Sequence, residues 1–352
     1  MKRLIYIEIV VLVALLIVAI LACGNIFKPA FSSGTLSGTT APTVIPTTAP
    51  TTVPTTVPTT APTTVPTTAP TTVPTTVPTV FVPTWNTYPA SRQILAQQYF
   101  VYDCKNNTFL LSSGQASERI YPASITKLFT AYVAMQYLQP DHKITAGNAL
   151  DLVAWGSSVA KIQKGDVLTV EQLIEAMMLP SGNDASYILA CEVGRVMKND
   201  PQLSASSAVS VFMTEMNRQA AAVGMTGTNF VNPDGIHDSR HYTTFGNLVI
   251  LGKLAMANPT IMRYAQTPRE EVTLHGQTIQ WKNTNKLIDP TNSYYCPYAI
   301  GLKTGQTPSA GSCLLSAFRM NDTELLIGVF GCPKEDDRFD DTLQLFNKIV
   351  LN

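Results

Sequence analysis

The feature that most restricts what this 352-residue chain can fold into is a regular proline tract near its N-terminus. From Pro46 to Pro78 a proline recurs at every fourth position, and the residues between are Thr-Thr-Ala or Thr-Thr-Val. Proline at this density removes backbone donors and breaks helices, and the intervening residues offer no core. The tract is therefore expected to be extended and close to polyproline II, reaching roughly 100 Å at ~3.1 Å per residue. A packed domain has to lie after it.

The segment before the tract predicts export to, and attachment at, a membrane. Lys2 and Arg3 precede an apolar run that reaches Ala22, which is typical of a signal peptide and also long enough for an uncleaved anchor. The sequence Ile20-Leu21-Ala22-Cys23-Gly24 resembles the lipobox of bacterial lipoproteins, in which Cys23 would carry the lipid. The alternative is that Cys23 merely ends a membrane helix. In both cases the basic end stays in the cytoplasm, and the rest of the chain is tethered outside.

The remainder predicts one folded domain, giving a division into residues 1–22 (signal or anchor), 23–87 (extended linker) and 88–352 (folded domain). The full chain has 24 basic and 24 acidic side chains, so no net charge favours a nucleic-acid partner. Strand patterns stand at both ends of this domain and helical patterns between them. We expect an α/β (α+β) domain: an antiparallel sheet whose first and last strands meet, flanked by helices and backed by a helical lobe. The predicted strands are 98–102, 108–111, 298–303, 312–319 and 324–331, and the predicted helices are 124–138, 170–178, 185–197, 207–223, 244–256 and 337–351.

Cysteine and histidine usage points to no cofactor and no metal. An odd number of cysteines follows Cys23, which argues against a disulfide framework in an exported domain and favours buried thiols. A bond between Cys313 and Cys332 remains open, because both stand on neighbouring predicted strands. The histidines show no metal-ligand spacing. The residues concerned are Cys104, Cys191, Cys296, Cys313 and Cys332, and His142, His237, His241 and His275.

The first chemical motif is Ser124-Ile125-Thr126-Lys127. Pro122 precedes it, so Ser124 should open a helix, where Lys127 is at i+3 on the same face. A serine hydroxyl becomes a useful nucleophile when a neighbour takes its proton, and Lys127 can do so if burial or nearby positive charge keeps it neutral. A second Ser-x-x-Lys stands at 158–161, but only 23 residues separate Ser158 from the next motif, too few for the helices expected between them.

Two further motifs follow in fixed order. Ser181-Gly182-Asn183 is expected in a loop, where the Ser181 hydroxyl can relay a proton and the Asn183 amide can orient Lys127 and a substrate carbonyl. Lys303-Thr304-Gly305 is expected on an edge strand. There Lys303 and Thr304 can hold a terminal carboxylate, and Gly305 allows close approach of a peptide backbone. The backbone N–H groups of Ser124 and Gln306 would form an oxyanion hole.

With these motifs the chain resembles the D-alanyl-D-alanine carboxypeptidases, the low-molecular-mass penicillin-binding proteins. The matching stretches extend over nearly the whole predicted domain. They are 121–128, 179–185, Asn232-Pro233-Asp234-Gly235, His241-Tyr242, 283–287 and 301–305.

The resemblance implies a β-lactamase/transpeptidase-like fold and a serine peptidase that removes the terminal D-alanine of peptidoglycan stem pentapeptides. By this resemblance Ser124 is the nucleophile and Lys127 the base, Ser181 and Asn183 serve proton relay and orientation, and Lys303 recognises the carboxylate. Stem peptides are then the substrate, β-lactams are covalent inhibitors, and no cofactor is required.

The chain departs from the family pattern in two places. It ends at Asn352 without the C-terminal β-rich domain of many members, and Gln306 stands where an aromatic residue or histidine is more usual. A D,D-endopeptidase shares every motif and stays open. So do a class A-like β-lactamase and a non-catalytic β-lactam-sensing or wall-binding module. Against the β-lactamase stands Ser181-Gly182-Asn183 in place of Ser-Asp-Asn.

Overall fold

A computed structural model describes residues 93–350, which contain most of the predicted domain. The predicted anchor, the lipobox with Cys23 and the proline tract lie outside these described residues. All the described residues belong to one compact unit.

A five-stranded antiparallel sheet carries the fold, with strand order β2-β1-β11-β10-β9. The predicted meeting of the first and last strands is confirmed, since β1 pairs with β11 from Gln98↔Phe330 to Asp103↔Leu325. Strand β9 lies at an edge of the sheet, as predicted for the strand that carries the third motif. The strands are β1 (Gln98–Asp103), β2 (Thr108–Ser112), β9 (Ala299–Thr307), β10 (Gly311–Met320) and β11 (Thr323–Cys332).

Within residues 93–350, six short strands form three two-stranded ribbons outside this sheet. Sequence patterns did not predict them, and the hairpin of β7 and β8 is the longest of the three. The ribbons pair β3 (Arg119–Ile120) with β6 (Thr243–Thr244), β4 (Lys143–Thr145) with β5 (Val167–Thr169), and β7 (Arg269–Leu274) with β8 (Gln277–Lys282).

Seven α-helices stand in the described part of the chain, and six of them fall where helical periodicity predicted them. The shortest, α6, was not predicted. Several begin at a side-chain cap that satisfies free backbone N–H groups, such as Thr169, which forms a capping box with Gln172 before α2. The helices are α1 (Thr126–Ala134), α2 (Val170–Met178), α3 (Asn183–Lys198), α4 (Ala205–Ala222), α5 (Phe245–Met256), α6 (Pro259–Gln266) and α7 (Asp337–Val350).

The sheet is covered on both faces, which explains why seven consecutive residues of β10 are buried. Alternate residues of a strand point to opposite faces. On one face Phe318 stacks on Phe346 of α7, with ring centroids 4.4 Å apart. On the other face Phe100 packs against Phe245 of α5 at 5.3 Å. Burying each such ring stabilises the fold by about 1.5–3 kcal/mol.

Helix α1 is the centre of the helical lobe. Eight of its nine residues are buried, so it is surrounded on all sides rather than amphipathic. It contacts helices α2 to α6. The helix is shorter than predicted, since it ends at Ala134 and Ser124 lies in a 3-10 turn, Ala123–Ile125, just before it. The 3-10 turn at the start of this central helix contacts β9.

None of the helices within residues 93–350 is long and apolar enough to cross a membrane. The five cysteines in this part of the chain are free, and four of them are buried. The expectation of buried thiols is thus confirmed, and the Cys313–Cys332 bond that the sequence left open is not formed. Cys313 and Cys332 are each fully buried, although their strands are neighbours.

Candidate active site

Ser124 and Lys127 are in direct contact. The Lys127 Nζ donates a hydrogen bond to the Ser124 Oγ at 2.8 Å. The i to i+3 spacing brings this contact about, as predicted, although a 3-10 turn and not a regular α-helix carries Ser124. Ser124 is half-buried, so its hydroxyl can reach a ligand, whereas Lys127 has no exposed surface.

The environment of Lys127 favours the neutral amine. Burial lowers the pKa of Lys127 to about 8, and the carboxylates of Asp234 and Asp184 oppose part of this shift. The amine also donates to the backbone carbonyl of Asp234 at 2.7 Å. At pH 7 about a tenth of the molecules then carry a neutral Lys127 that can accept a proton. An exposed lysine would supply far fewer.

The turn Asn232-Pro233-Asp234-Gly235 backs the start of α1. The Pro233 carbonyl accepts from the Thr130 hydroxyl at 2.7 Å, one helical turn beyond the Asp234–Lys127 contact. The Asn232 side chain closes the turn, since its Oδ1 accepts from the Gly235 N–H and its Nδ2 donates to the Ile236 carbonyl, both at 2.8 Å. These contacts fix two turns of α1 through backbone carbonyls.

Backbone strain stands on both sides of the site. Ala123, just before the candidate nucleophile, has φ +48°, and Ser181 has φ +62°. Residues with side chains rarely adopt these angles, and such strain persists only where the surroundings enforce it. It marks the segments 123–124 and 181–182 as held in place by the rest of the fold.

Ser181 and Asn183 are buried at the start of α3, and Asn183 is the first residue of that helix rather than part of a loop. Within residues 93–350 neither side chain hydrogen-bonds to Ser124 or Lys127. Their turn is positioned instead by Asp184, whose carboxylate accepts from the N–H groups of Ala160 and Ile162 at 3.0 and 3.1 Å.

The second Ser-x-x-Lys, at 158–161, supports the Ser181-Gly182-Asn183 turn and does not form a serine–lysine pair. Ser158 and Lys161 are exposed, and no hydrogen bond joins their side chains among the residues described. The Ser158 carbonyl accepts from the Asn183 N–H at 2.9 Å. Residues 158–162 thus form a strap along the Ser181-Gly182-Asn183 turn.

The third motif lies against Ser124 through its glycine. A Cβ on Gly305 would stand 2.8 Å from the Pro122 carbonyl oxygen and 3.2 Å from the Ser124 nitrogen, so only glycine fits here. The neighbouring Thr304 hydroxyl is 2.5 Å from that of Thr284, whose N–H donates to the Leu179 carbonyl at 3.2 Å. Thr284 stands in the family-matching stretch 283–287, but no site role was predicted for it. It connects the strand of the third motif to the end of α2, just before Ser181.

Lys303 is fully buried beneath this strand, 1% exposed. Its Nζ donates to the Thr284 hydroxyl and the Thr304 carbonyl, each at 3.4 Å. Burial, and then the positive charges of Lys127 and Arg338, lower the pKa of Lys303 well below its ordinary value. Burial and the nearby charges disfavour the protonated Lys303 amine. A ligand carboxylate would stabilise it by pairing with it.

Arg338 is a further cation that the motifs did not reveal, because it stands on α7 and close to no motif in sequence. Its side chain is buried, and its Nη1 donates to the Gly305 carbonyl at 3.3 Å. The two ends of a trans peptide group point in opposite directions, so the N–H of Gln306 points away from Arg338. Gln306 itself is exposed.

The site thus combines a serine hydroxyl bonded to a buried lysine amine of lowered pKa with two further buried basic side chains, Lys303 and Arg338. Residues 93–350 contain no group of side chains that suits a metal ion. The contact between the serine hydroxyl and the lysine amine is suited to acyl transfer.

Comparison with known proteins agrees with this chemistry. Residues 85–334 match the family model described as D-alanyl-D-alanine carboxypeptidase. A D-alanyl-D-alanine carboxypeptidase of Streptomyces sp. (strain K15) is 33% identical over 242 residues, which cover 66% of this chain and 79% of that protein. For the carboxypeptidase DacF of Bacillus subtilis the identity is 27% over 235 residues, or 64% of this chain, and the chain spans 55% of the relative's length.

Solved structures give the same result. The Streptomyces K15 DD-transpeptidase has a TM-score of 0.65 and 31% identity, over 74% of this chain and 99% of that one. Penicillin-binding protein D2 of Listeria monocytogenes, solved in its ampicillin-bound form, has a TM-score of 0.58 and 26% identity, over 72% of this chain and 97% of its own. The fold is thus the penicillin-binding, transpeptidase-like one that the resemblance implied. The chain belongs to the D-alanyl-D-alanine carboxypeptidase family of serine peptidases.

Proposed function

We propose that the protein removes the terminal D-alanine of peptidoglycan stem pentapeptides through an acyl-enzyme on Ser124. The observation that carries this proposal is the 2.8 Å contact between the Ser124 hydroxyl and the fully buried Lys127 amine. It gives the serine a base at hydrogen-bond distance, and burial keeps part of that base neutral at working pH. The family membership supports the substrate class.

Acylation then proceeds in two steps, attack on the carbonyl carbon and departure of the amine. The Ser124 Oγ attacks the carbonyl carbon of the penultimate D-alanine, while neutral Lys127 takes the hydroxyl proton. The N–H groups of Ser124 and Gln306 stabilise the oxyanion, which the close approach of Gly305 to Ser124 makes feasible. As the C–N bond breaks, protonated Lys127 passes this proton through the Ser181 hydroxyl to the leaving amine and becomes neutral again, while Asn183 orients Lys127 and the substrate carbonyl.

Recognition of the free C-terminus is assigned to the strand of the third motif. The substrate carboxylate pairs with Lys303 and Thr304, next to the buried charge of Arg338. Deacylation completes the cycle: Lys127 removes a proton from a water molecule, the water oxygen bonds to the acyl carbon, and the Ser124 ester bond breaks as Lys127 returns the proton to the Ser124 Oγ. A β-lactam follows the same first step, because its strained amide carbonyl and its carboxylate match the two halves of the site. Ampicillin bound to the Listeria relative supports this part of the proposal.

The decisive experiment measures D-alanine release from a synthetic peptide ending in Lys-D-Ala-D-Ala by the full-length protein. Release that penicillin blocks, and that a Ser124→Ala variant lacks, is the expected result. Penicillin labelling of Ser124 without release would instead assign the site to a D,D-endopeptidase or a sensor, which a crosslinked muropeptide substrate then distinguishes. If the protein shows no D-alanine release and no penicillin labelling, the assignment is overturned.

We also propose that residues 1–22 direct the chain across the membrane and that residues 23–87 hold the catalytic domain at a distance in the cell-wall space. The basic and apolar start and the proline tract support this. Lipidation of Cys23 predicts that a Cys23→Ala variant loses its acyl chains, as read by the mass of the N-terminal peptide, and is released or left unprocessed. If the mass of the N-terminal peptide changes only by the difference between cysteine and alanine, and the protein stays in the membrane fraction, the anchor is an uncleaved helix instead.

A further inference from the structure

The third residue of the first motif, Thr126, makes a contact that the mechanism above does not use. Its hydroxyl lies 2.9 Å from the Nε2 of His241. Thr126 has no exposed surface, and His241 is 2% exposed, so the contact is shielded from water. Thr126 stands between Ser124 and Lys127 at the start of α1, and any shift of its backbone changes the geometry of that pair.

The other ring nitrogen of His241 is also engaged. The Val231 N–H donates to the Nδ1 of His241 at 3.2 Å. A nitrogen that accepts carries no proton, so the neutral ring holds its single proton on Nε2 and donates it to the Thr126 hydroxyl. The backbone N–H of Val231 therefore selects the tautomer that can hold Thr126.

Burial keeps the His241 ring neutral. Burial lowers the pKa of His241 to about 4, and His237 and Lys127 act in the same direction, while Asp238 opposes them. The Phe230 ring packs edge-on against the imidazole at 5.5 Å between centroids. A neutral ring in one tautomer and one orientation is what a positioning role requires.

His241 also completes the contact between residues 230–241 and the start of α1. The Asp234 carbonyl holds the Lys127 amine and the Pro233 carbonyl holds Thr130, both at 2.7 Å. These two contacts hold Lys127 and the residue one helical turn after it. The contact from His241 instead holds Thr126, one of the two residues between Ser124 and Lys127.

We propose that His241 is a positioning residue for acyl transfer, whose Nε2–H holds the Thr126 hydroxyl and thereby fixes the Ser124–Lys127 geometry. This inference rests on the proposed function in so far as Ser124 is the acylated residue. It adds a residue to the site that touches neither substrate nor the reacting atoms. A misplacement on the order of 1 Å in such a site costs up to about 100-fold in rate.

Four substitutions isolate the contact. Thr126→Val removes the hydroxyl and keeps the shape, whereas Thr126→Ser keeps the hydroxyl. His241→Asn retains a polar atom near the Nδ1 position but is too short to reach Thr126, whereas His241→Gln retains a donor near the Nε2 position. His142→Asn is the matched control, since His142 is half-exposed and pairs with Glu192 at 2.8 Å.

The readout is the rate and stoichiometry of penicillin acylation of the full-length protein, together with kcat and KM for D-alanine release. We expect Thr126→Val and His241→Asn each to slow acylation by about 10- to 100-fold. Thr126→Ser and His241→Gln should recover most of the rate, and His142→Asn should match the wild type. A double variant that combines Thr126→Val with His241→Asn should be no slower than either single variant, because both remove one bond.

Acylation stoichiometry separates positioning from unfolding. A positioning role predicts one penicillin bound per molecule, with a lowered kcat and a KM that changes little. The inference is overturned if the two single losses multiply in the double variant. It is equally overturned if Thr126→Ser and His241→Gln fail to recover the rate, or if the losses appear as a reduced fraction of labelled protein. Absence of D-alanine release by the wild type would count against the proposed function alone, since penicillin acylation still reports on the geometry.

Discussion

Gly235 lies against the carbonyl of Ala123, the residue that precedes the candidate nucleophile. A Cβ on Gly235 would stand 1.9 Å from that carbonyl oxygen and 3.0 Å from the Ser124 nitrogen, and Gly235 has φ +87°. The turn at 232–235 and the strained Ala123 are thus packed backbone to backbone. This close approach explains how φ +48° at Ala123 is maintained.

A Gly235→Ala substitution is therefore expected to displace residues 123–124. We expect a loss of on the order of 1–3 kcal/mol in the free energy of unfolding, together with a large loss of penicillin acylation. Urea denaturation and acylation kinetics measure the two effects. The matched control is Gly276→Ala, since Gly276 also has a positive φ, +71°, but a Cβ there meets nothing within 4 Å. Equal effects of the two variants on acylation would contradict the packing argument.

The titration of Lys127 predicts the pH dependence of acylation. Its folded pKa of about 8 lies below the ordinary value of 10.5, and the neutral form is the reactive one. The kcat/KM for D-alanine release should therefore rise about tenfold per pH unit below pH 8 and level off above it. In the same way the contribution of Lys127 to stability should rise with pH between about 8 and 10.5, where the unfolded chain binds the extra proton. Lys127→Arg, which stays charged, should abolish acylation at every pH. A profile that is flat from pH 6 to 9 would argue against Lys127 as the base.

Much of this arrangement is predictable from sequence, and the reasons differ from residue to residue. The Ser124–Lys127 contact follows from the i to i+3 spacing within the motif, so the sequence predicts it. The five-stranded sheet is predictable because strand patterns stand at both ends of the domain sequence, which predicts that the first and last strands along the chain meet. The hairpin of β7 and β8 escaped prediction because its residues are mostly exposed, with no buried alternation. No site role was predicted for Arg338 or Thr284, because each reaches the site through tertiary packing.

Glu175 provides a test of the packing beside the site that is independent of catalysis. It is 6% exposed on α2, and its Oε1 has no hydrogen-bond partner among the residues described. Burial, and then the charge of Glu270, raise its pKa to about 7. The folded state then binds more protons than the unfolded state between pH 4.5 and about 7, so stability should fall as pH rises through that window.

Glu175→Gln removes this titration and keeps the shape of the side chain. We expect the variant to be more stable than the wild type at pH 8, by on the order of 1–3 kcal/mol, and nearly equal to it at pH 4. Urea denaturation at both pH values measures this difference. Glu118→Gln, on the exposed surface, is the control and should change stability little at either pH. A Glu175→Gln variant that is less stable at pH 8 would show that the carboxylate is paired.

The two thiols of the neighbouring strands should behave as separate buried groups. Cys313 and Cys332 are unexposed, and burial raises the pKa of Cys313 to about 11. A thiol reagent at pH 8 should modify neither residue in the native protein and both after denaturation without reductant. If both become reactive only after a reductant is added, the two are joined by a disulfide.

The most direct measurement is to locate the acyl group. Full-length protein labelled with penicillin and digested should yield one modified peptide, the one that contains Ser124, and none from the exposed Ser158-Val159-Ala160-Lys161 segment. A Ser124→Ala variant should take up no label, and a Ser158→Ala variant should label as the wild type does. Label on Ser158, or label that persists in Ser124→Ala, would contradict the assignment of Ser124 and Lys127 as the catalytic pair.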